Sequence, residues 1–416
     1  MDHQIWLPYT QMQTAALPIK VVATEKEYLI TDNGIKLVDA ISSWWTACHG
    51  YNHPHIVQAI QNQAQIMPHV MLGGIIHPQA ETLCHRLTRM LPNDLNHVFL
   101  ANTGSEAIEV AMKIAIQSAI NVGKNKTKFL HFQHSYHGDT LYAMSICDPE
   151  EGMHHIFGSA LPPQLMCKLP KTSLDIQDFE SLLIQHQEDL AGVIIEPLVQ
   201  GAGGMKMHTP LQLKKIAQLC KKYNICFMVD EIFTGFGRTG SMFAFEQADI
   251  IPDIICLSKA LTGGTLPLAA VITRTPIYQT FLSDNSDKAL MHGPTFMGNA
   301  LACAAANASL DLLEENKWQQ QVTDIEQQFI LGFKTLNALP QVKDVRIKGA
   351  IAAIELCQTL SSEDFAWFSA QFLADGLWCR PFGNIVYAAP PFTIKEKNLH
   401  KIIKSICRHV VSWLPV

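Results

Sequence analysis

Charge is scarce in this chain. Of its 416 residues, 16% are Asp, Glu, Lys or Arg against 48% apolar, and no run of Lys or Arg stands out. The net charge is −6 and the isoelectric point is near 6.3. That balance offers no basic surface, which argues against nucleic acid or an anionic membrane as a partner. No segment approaches the ~20 apolar residues of a membrane helix. The start, "MDHQIWLPYTQM", lacks the basic-then-apolar order of a secretory leader. The eleven cysteines, scattered from Cys48 to Cys407, include no C-x-x-C pair. Free thiols and a cytoplasmic location are therefore expected. Neither H-E-x-x-H nor a Cys/His zinc spacing occurs among the eighteen histidines, so no metal is expected. His53 with His55, and the pair His154–His155, read as turn and surface residues. Ser/Gly linkers, low-complexity tracts and repeats are missing too.

What is present is an alternation of apolar runs and helical patterns. "HVFLA" (97–101) precedes a helix over 104–121, with Ile108, Ala111, Met112, Ala115 and Ala119 on one face. "KFLHF" (128–132) precedes a second helix. "AGVIIEP" (191–197) precedes "TPLQLKKIAQLCKKY", which opens with a Thr cap and a Pro. "ICFMVDE" (225–231), "DIICLSK" (253–259) and "LAAVITR" (268–274) are nearly unbroken apolar runs. They predict strands covered on both faces, hence an α/β fold with a mainly parallel sheet. Beyond about 325, "VKDVRIKGAIAAIEL", a helix near 362–375, "LWCRPFGNIVYAAP" and a closing helix predict a smaller α+β unit. The N-terminal "EYLITD" and "IKLVDA" are expected to pack with it. The expected division is 1–58 and 326–416 for the small unit and 59–325 for the large one.

Asp230 and Lys259 both end apolar strands, and ligands bind at that end of an open α/β sheet. A lysine so placed can be neutral and hold a cofactor covalently; alone, it is more often a solvated strand end. A carboxylate over an apolar strand is costly without a cationic partner. "NTGSEA" (102–107) opens the first helix with Gly104 and Ser105. It reads either as a phosphate cradle or as an ordinary cap, since Thr103 and Glu106 have the S/T-x-x-E spacing. Tyr136 in "SYHGD", expected to begin a helix, is a candidate stacking ring or a plain core aromatic. Together these groups meet the needs of pyridoxal 5'-phosphate: covalent anchor, partner for the ring nitrogen, phosphate site and flat wall. The competing signal "GFGRTG" (235–240) has the dinucleotide spacing. It follows the strand end instead of closing it, and "SMFAFEQ" behind it is no clean helix.

The whole set resembles the fold-type I, class III pyridoxal-phosphate aminotransferases over essentially the full chain. "NTGSEAIEVAMKIA", "YHGDT", "IIEPLVQGAGG", "VDEIFTGFGRTG", "LSKALTGGTLPLAAV" and "HGPTFMGNALACAAANASL" carry the resemblance. "IWLPYTQM", "SSWWTACHGYNHP", "MLGGIIHP", "MHGPTFMGN" and "RPFGNIVYAAPP" are similar to the biotin-biosynthetic branch of that class. Asp139 after "YHG" favours the branch, while Glu106 and Ala300 depart from its usual Val and Pro.

The resemblance implies a seven-stranded, mainly parallel sheet in the large domain and a small α+β domain from both termini. It implies that Lys259 and Asp230 act on the cofactor, that Gly104 and Ser105 bind its phosphate, and that Tyr136 stacks on its ring. Gly293, Pro294 and Thr295 would reach the site of a second subunit in a homodimer with shared active sites. Arg380 would clamp a substrate carboxylate. Tyr9, Trp44 and Tyr387 would line the substrate pocket with Asp139 and Arg238 nearby, and Trp45 would be a packing residue. The implied reaction is ping-pong transfer of the amino group of S-adenosylmethionine to 8-amino-7-oxononanoate. The residues leave open lysine as donor, an ω-amino-acid pair, or a non-catalytic cofactor-binding role.

Overall fold

The computed structural model describes residues 4–92, 94–151 and 155–414, so His154 lies outside the described residues. Three short antiparallel strands come first: β1 (Val21–Glu25), β2 (Tyr28–Thr31) and β3 (Lys36–Asp39). Next come β4 (Leu95–Ala101), β5 (Lys128–Phe132), β6 (Leu165–Cys167) and β7 (Leu190–Ile195). A small hairpin, β8 (Val199–Gln200) with β9 (Lys206–Met207), precedes β10 (Cys226–Asp230), β11 (Ile254–Leu257) and β12 (Ala269–Arg274). The C-terminal strands are β13 (Val342–Lys348), β14 (Ile351–Leu356), β15 (Leu377–Trp378) and β16 (Ile385–Ala388).

The large sheet has seven strands in the order β4-β12-β11-β10-β7-β5-β6. All pairings are parallel except those of β12, which runs against both neighbours. Its central strands are apolar throughout because separate apolar clusters cover the two faces. Parallel strands deliver their C-terminal ends to one edge. There β5 leads to Tyr136, β7 to Glu196, β10 ends at Asp230, and Lys259 follows β11 by two residues. From the same edge, β4 feeds the helix Gly104–Asn121.

The small layer takes its strands from both chain ends. β15 pairs in parallel with β3, Leu377 opposite Val38 and Trp378 opposite Asp39. β13, β14 and β16 form a second sheet, which the helix Glu396–Ser412 follows. Positions 58 and 325 both fall inside helices, Pro54–Ile66 and Lys317–Phe333, so no loop separates the layers at either place. The helix expected after "KFLHF" is corrected to a loop. His134 and Gly138 have φ of 65° and 126°, which a helix cannot contain, and only the short helix Leu141–Met144 follows. Tyr136 therefore sits on that loop and does not begin a helix.

Candidate active site

At the sheet edge lies an open cavity of about 170 Å³. Lys259, Asp230, Gly104, Ser105 and Tyr136 all line it, together with Trp45, His137, Glu196 and Phe233. Five residues scattered over 155 positions of sequence thus share one space because each follows a strand of the same sheet.

Lys259 begins a short helical turn with φ of 48°, and its Nζ lies 4.5 Å from the ring centre of Trp45. Burial lowers its pKa from 10.5 to about 8, with Asp230 and Glu196 opposing the shift. A substantial fraction of the amine is then neutral near physiological pH, as a nucleophilic lysine requires. Asp230 accepts from Ile232 N–H at 3.1 Å and from His137 Nδ1 at 2.7 Å. Glu196, buried in the cavity wall, accepts from the amides of Tyr136 (3.1 Å) and Gly201 (2.9 Å). Burial raises its pKa to about 7.

The cap and the cradle at "NTGSEA" coexist. Thr103 Oγ1 accepts from Glu106 N–H at 3.2 Å, while Glu106 Oε2 accepts from Asn102 N–H at 2.8 Å. The amides of Gly104 and Ser105, in the first turn, have no intrahelical acceptor and a helix N-terminus favours an anion. Gly138 closes onto the same turn. A Cβ there would stand 2.2 Å from Ser105 Oγ, so only glycine fits. The donor set thus fits a phosphorylated pyridine aldehyde: amine, carboxylate, anion-binding turn and apolar walls.

The cavity mouth is built by Tyr9, whose hydroxyl donates to Asp139 at 2.5 Å and lies 3.2 Å from that of Tyr136. Tyr136 donates to the other Asp139 oxygen at 2.9 Å. Burial and Asp139 push the Tyr9 phenol up to about 12. Trp44 meets Tyr9 edge-on at 6.3 Å, and the Arg380 guanidinium lies 5.4 Å from its ring.

Trp45 is expected to be a packing residue; the structure makes it the cavity wall over Lys259, its ring tilted against Phe233 at 4.0 Å. Ser42, Ser43, Trp44 and Trp45 all have φ between 47° and 72°, a left-handed turn with no glycine. Such a backbone costs a non-glycine residue about 1–2 kcal/mol. Its curvature turns both indoles toward the site, one inside and one at the rim.

Three other groups lie outside this cavity. Tyr387 is buried on β16, 6.3 Å behind Trp45, and is not among the cavity-lining residues. Arg238 is fully buried away from the cavity, donating to Pro390 O at 2.7 Å and stacking on Phe392. Gly293, Pro294 and Thr295 do not reach this chain's cavity; Gly293 and Thr295 are exposed beside Phe296. His137, Glu196, Trp45 and Phe233 were missed by sequence reasoning. All four stand inside quoted motifs, Trp45 in "SSWWTACHGYNHP", His137 in "YHGDT", Glu196 in "IIEPLVQGAGG" and Phe233 in "VDEIFTGFGRTG", which was the available signal. Behind "GFGRTG" comes only a short 3-10 helix, Ala244–Ala248.

A buried lysine, a carboxylate and an anion-binding helix turn at the edge of a mainly parallel sheet are the site of a fold-type I pyridoxal-phosphate enzyme. The family model for class-III aminotransferases matches residues 9–410, and the chain belongs to that family. It is a pyridoxal-phosphate-dependent aminotransferase. The chain is 44% identical over 413 residues to the adenosylmethionine-8-amino-7-oxononanoate aminotransferase of Buchnera aphidicola subsp. Schizaphis graminum, covering 97% of this chain and 95% of that one. It is 41% identical to the Corynebacterium glutamicum enzyme of the same name, covering 98% and 96%. Among solved structures, the adenosylmethionine-8-amino-7-oxononanoate aminotransferase of Methanocaldococcus jannaschii superposes with a TM-score of 0.90 at 33% identity, over 97% of each chain. An (S)-enantioselective omega-transaminase from Thermomicrobium roseum superposes as well, with a TM-score of 0.91 at 26% identity, over 99% and 97%.

Proposed function

We propose that this aminotransferase moves the amino group of S-adenosylmethionine to 8-amino-7-oxononanoate, giving 7,8-diaminononanoate for biotin biosynthesis. The observation that carries the chemistry is the meeting of Lys259 and Asp230 in one cavity with the Gly104–Ser105 turn. The substrate pair rests on the names of the relatives and on the motifs of the biotin-biosynthetic branch. A mouth of Trp44, Tyr9 and Tyr136 suits both substrates, since aromatic walls take a sulfonium and an aliphatic chain alike. Arg380 has no carboxylate partner among the described residues, which leaves its guanidinium available to a substrate carboxylate.

When bound, pyridoxal phosphate supplies an electron sink for the pair left by a departing Cα proton. Asp230, pinned by His137, would keep a proton on the ring nitrogen. Gly104 and Ser105 would hold the phosphate, with Tyr136 and Trp45 along the ring. Lys259 Nζ would anchor the cofactor and, once displaced by the donor's amine, carry the proton from substrate carbon to cofactor carbon. Tyr9 would close the mouth through its bond to Asp139.

The working unit in this reading is a cytoplasmic homodimer. The exposed Met71, Ile75 and Ile76 lie on the segment whose His69 ring tilts against Phe296 at 4.7 Å, forming an apolar surface next to Gly293–Thr295. A second copy seated there would bring its own Pro294 and Thr295 toward the phosphate end. No helix among the described residues is long and apolar enough to cross a membrane.

The deciding experiment is a single-turnover reaction of the holoenzyme with S-adenosylmethionine, read by the absorbance change from the aldehyde to the amine form of the cofactor. Conversion with S-adenosylmethionine, followed by amino transfer to 8-amino-7-oxononanoate, is the expected result. Conversion with lysine alone would overturn the donor.

A further inference from the structure

We propose that Asp39 is a positioning residue for the substrate-facing wall: its carboxylate locks the left-handed turn Ser42–Trp45 that aims both tryptophans into the site. Asp39 ends β3 and is wholly buried. Its Oδ1 accepts from Ile41 N–H at 2.9 Å. Its Oδ2 accepts from Ser43 N–H at 2.8 Å and from the Tyr51 hydroxyl at 2.5 Å. The Tyr51 hydroxyl in turn bonds Ser43 Oγ, so a side chain and a backbone amide of the turn hang on the same anchor. Ser42 ties the turn's other side to the small layer, its hydroxyl donating to Ala389 O at 2.8 Å.

A run of left-handed residues is ordinarily the work of glycine. Here glycine is excluded at two positions, because Trp44 must reach Tyr9 and Arg380 while Trp45 must cover Lys259. The strain has to be offset from outside the turn. A buried carboxylate accepting three hydrogen bonds, two of them from backbone amides of the turn or its entry, is the device present. Among the described residues no partner of Asp39 is a cation, and its hydrogen bonds go to Ile41, Ser43 and Tyr51, none of which lines the cavity. Its service to the reaction is thus indirect and geometric.

The inference rests on reading this cavity as the aminotransferase site. The test is steady-state kinetics of the Asp39→Asn holoenzyme, alone and combined with Ser43→Gly. The asparagine must turn an N–H toward one set of donors, which releases the turn. Expected is a rise of about tenfold in KM for S-adenosylmethionine, with the bound cofactor's absorbance unchanged and kcat affected far less. Because glycine adopts the left-handed backbone without strain, Ser43→Gly is expected to recover part of that loss. A purely structural role for Asp39 predicts lower thermal stability with wild-type KM, and that result overturns the proposal. So does a KM rise that Ser43→Gly leaves untouched. If Asp39→Asn does not fold, Tyr51→Phe serves: it removes one donor and is expected to raise KM in the same direction, an unchanged KM counting against the proposal. If the wild type turns over lysine and not S-adenosylmethionine, the donor assignment fails and the same ratios are measured with lysine.

Discussion

His137 Nδ1 lies 2.7 Å from Asp230 Oδ2, with both side chains buried in the lining of the cavity. A carboxylate only accepts, so Nδ1 carries the shared proton and the imidazole orients Asp230 toward the cavity. His137 Nε2 has no hydrogen-bond partner among the described residues. This pairing makes Asp230 available at a fixed angle, as a residue facing a pyridine nitrogen has to be.

Asp230→Asn is therefore expected to slow the first half-reaction by about two to three orders of magnitude, the scale of removing one preorganised electrostatic group. His137→Phe keeps a ring of similar size but removes the donor, and about one order of loss is expected. Stopped-flow absorbance on the holoenzymes measures both. A His137→Phe variant at wild-type rate would mean that Asp230 needs no support.

The two tryptophans separate by burial. Trp45 is 7% exposed and packed on Phe233, so Trp45→Ala is expected to cost about 3–5 kcal/mol of stability and also to impair turnover. Trp44 is 39% exposed at the rim; Trp44→Ala is expected to leave stability within about 0.5 kcal/mol while raising KM. Thermal melts and steady-state kinetics on the same preparations decide. Trp45→Ala with intact kinetics would return that ring to packing alone.

Much of this site was legible because its key residues interrupt a strong pattern. Asp230 and Lys259 are charges at the ends of apolar runs, and strands buried on both faces keep such runs unbroken. The direction of β12 was not legible, since an apolar run reads alike both ways. Trp45 was misjudged because four left-handed residues without a glycine leave no mark in the sequence. Arg238 was placed by family likeness near substrate, yet its acceptors are backbone carbonyls of Ala350 and Pro390, more than a hundred residues away. Backbone acceptors carry no side-chain signature.

Lys259 gives the apoenzyme a pH signature. With its pKa brought down to about 8, the neutral amine that captures the cofactor grows as pH rises and saturates about a unit above that value. Reconstitution of apoprotein with pyridoxal phosphate, followed by absorbance, is expected to accelerate with a midpoint near pH 8. The stability sign runs the same way. A lysine whose folded pKa lies below its unfolded one binds protons better when unfolded, so the apoprotein loses stability as pH falls from about 10.5 to 8 and no further below. Lys259→Met is expected to remove that slope; a midpoint near 10 in the capture rate would contradict the burial argument.

Glu355 governs the acid limit by the opposite sign. It sits on β14, 2% exposed, against Lys206 at 2.8 Å, Lys343 at 2.8 Å and Arg346 at 2.5 Å. Burial alone would raise its pKa, but those three cations bring it down to about 2. Arg346 also donates to the carbonyls of Met205 (2.8 Å) and Gly204 (2.9 Å), so the cluster fastens the C-terminal sheet to the segment joining β8 and β9. A depressed carboxylate contributes stability above its unfolded pKa, near 4.5, and loses it as pH falls toward 2. The contribution at neutral pH is on the order of 2 kcal/mol, given that Lys343 is exposed and screened. Glu355→Gln removes the charge that Lys206 and Lys343 pair with and leaves Arg346 with Asp344 alone, at 2.8 Å. It is expected to lower the melting temperature at pH 7 and to flatten the decline between pH 4.5 and 2. A melt series showing the same acid slope in Glu355→Gln and wild type would assign the acid limit to other carboxylates.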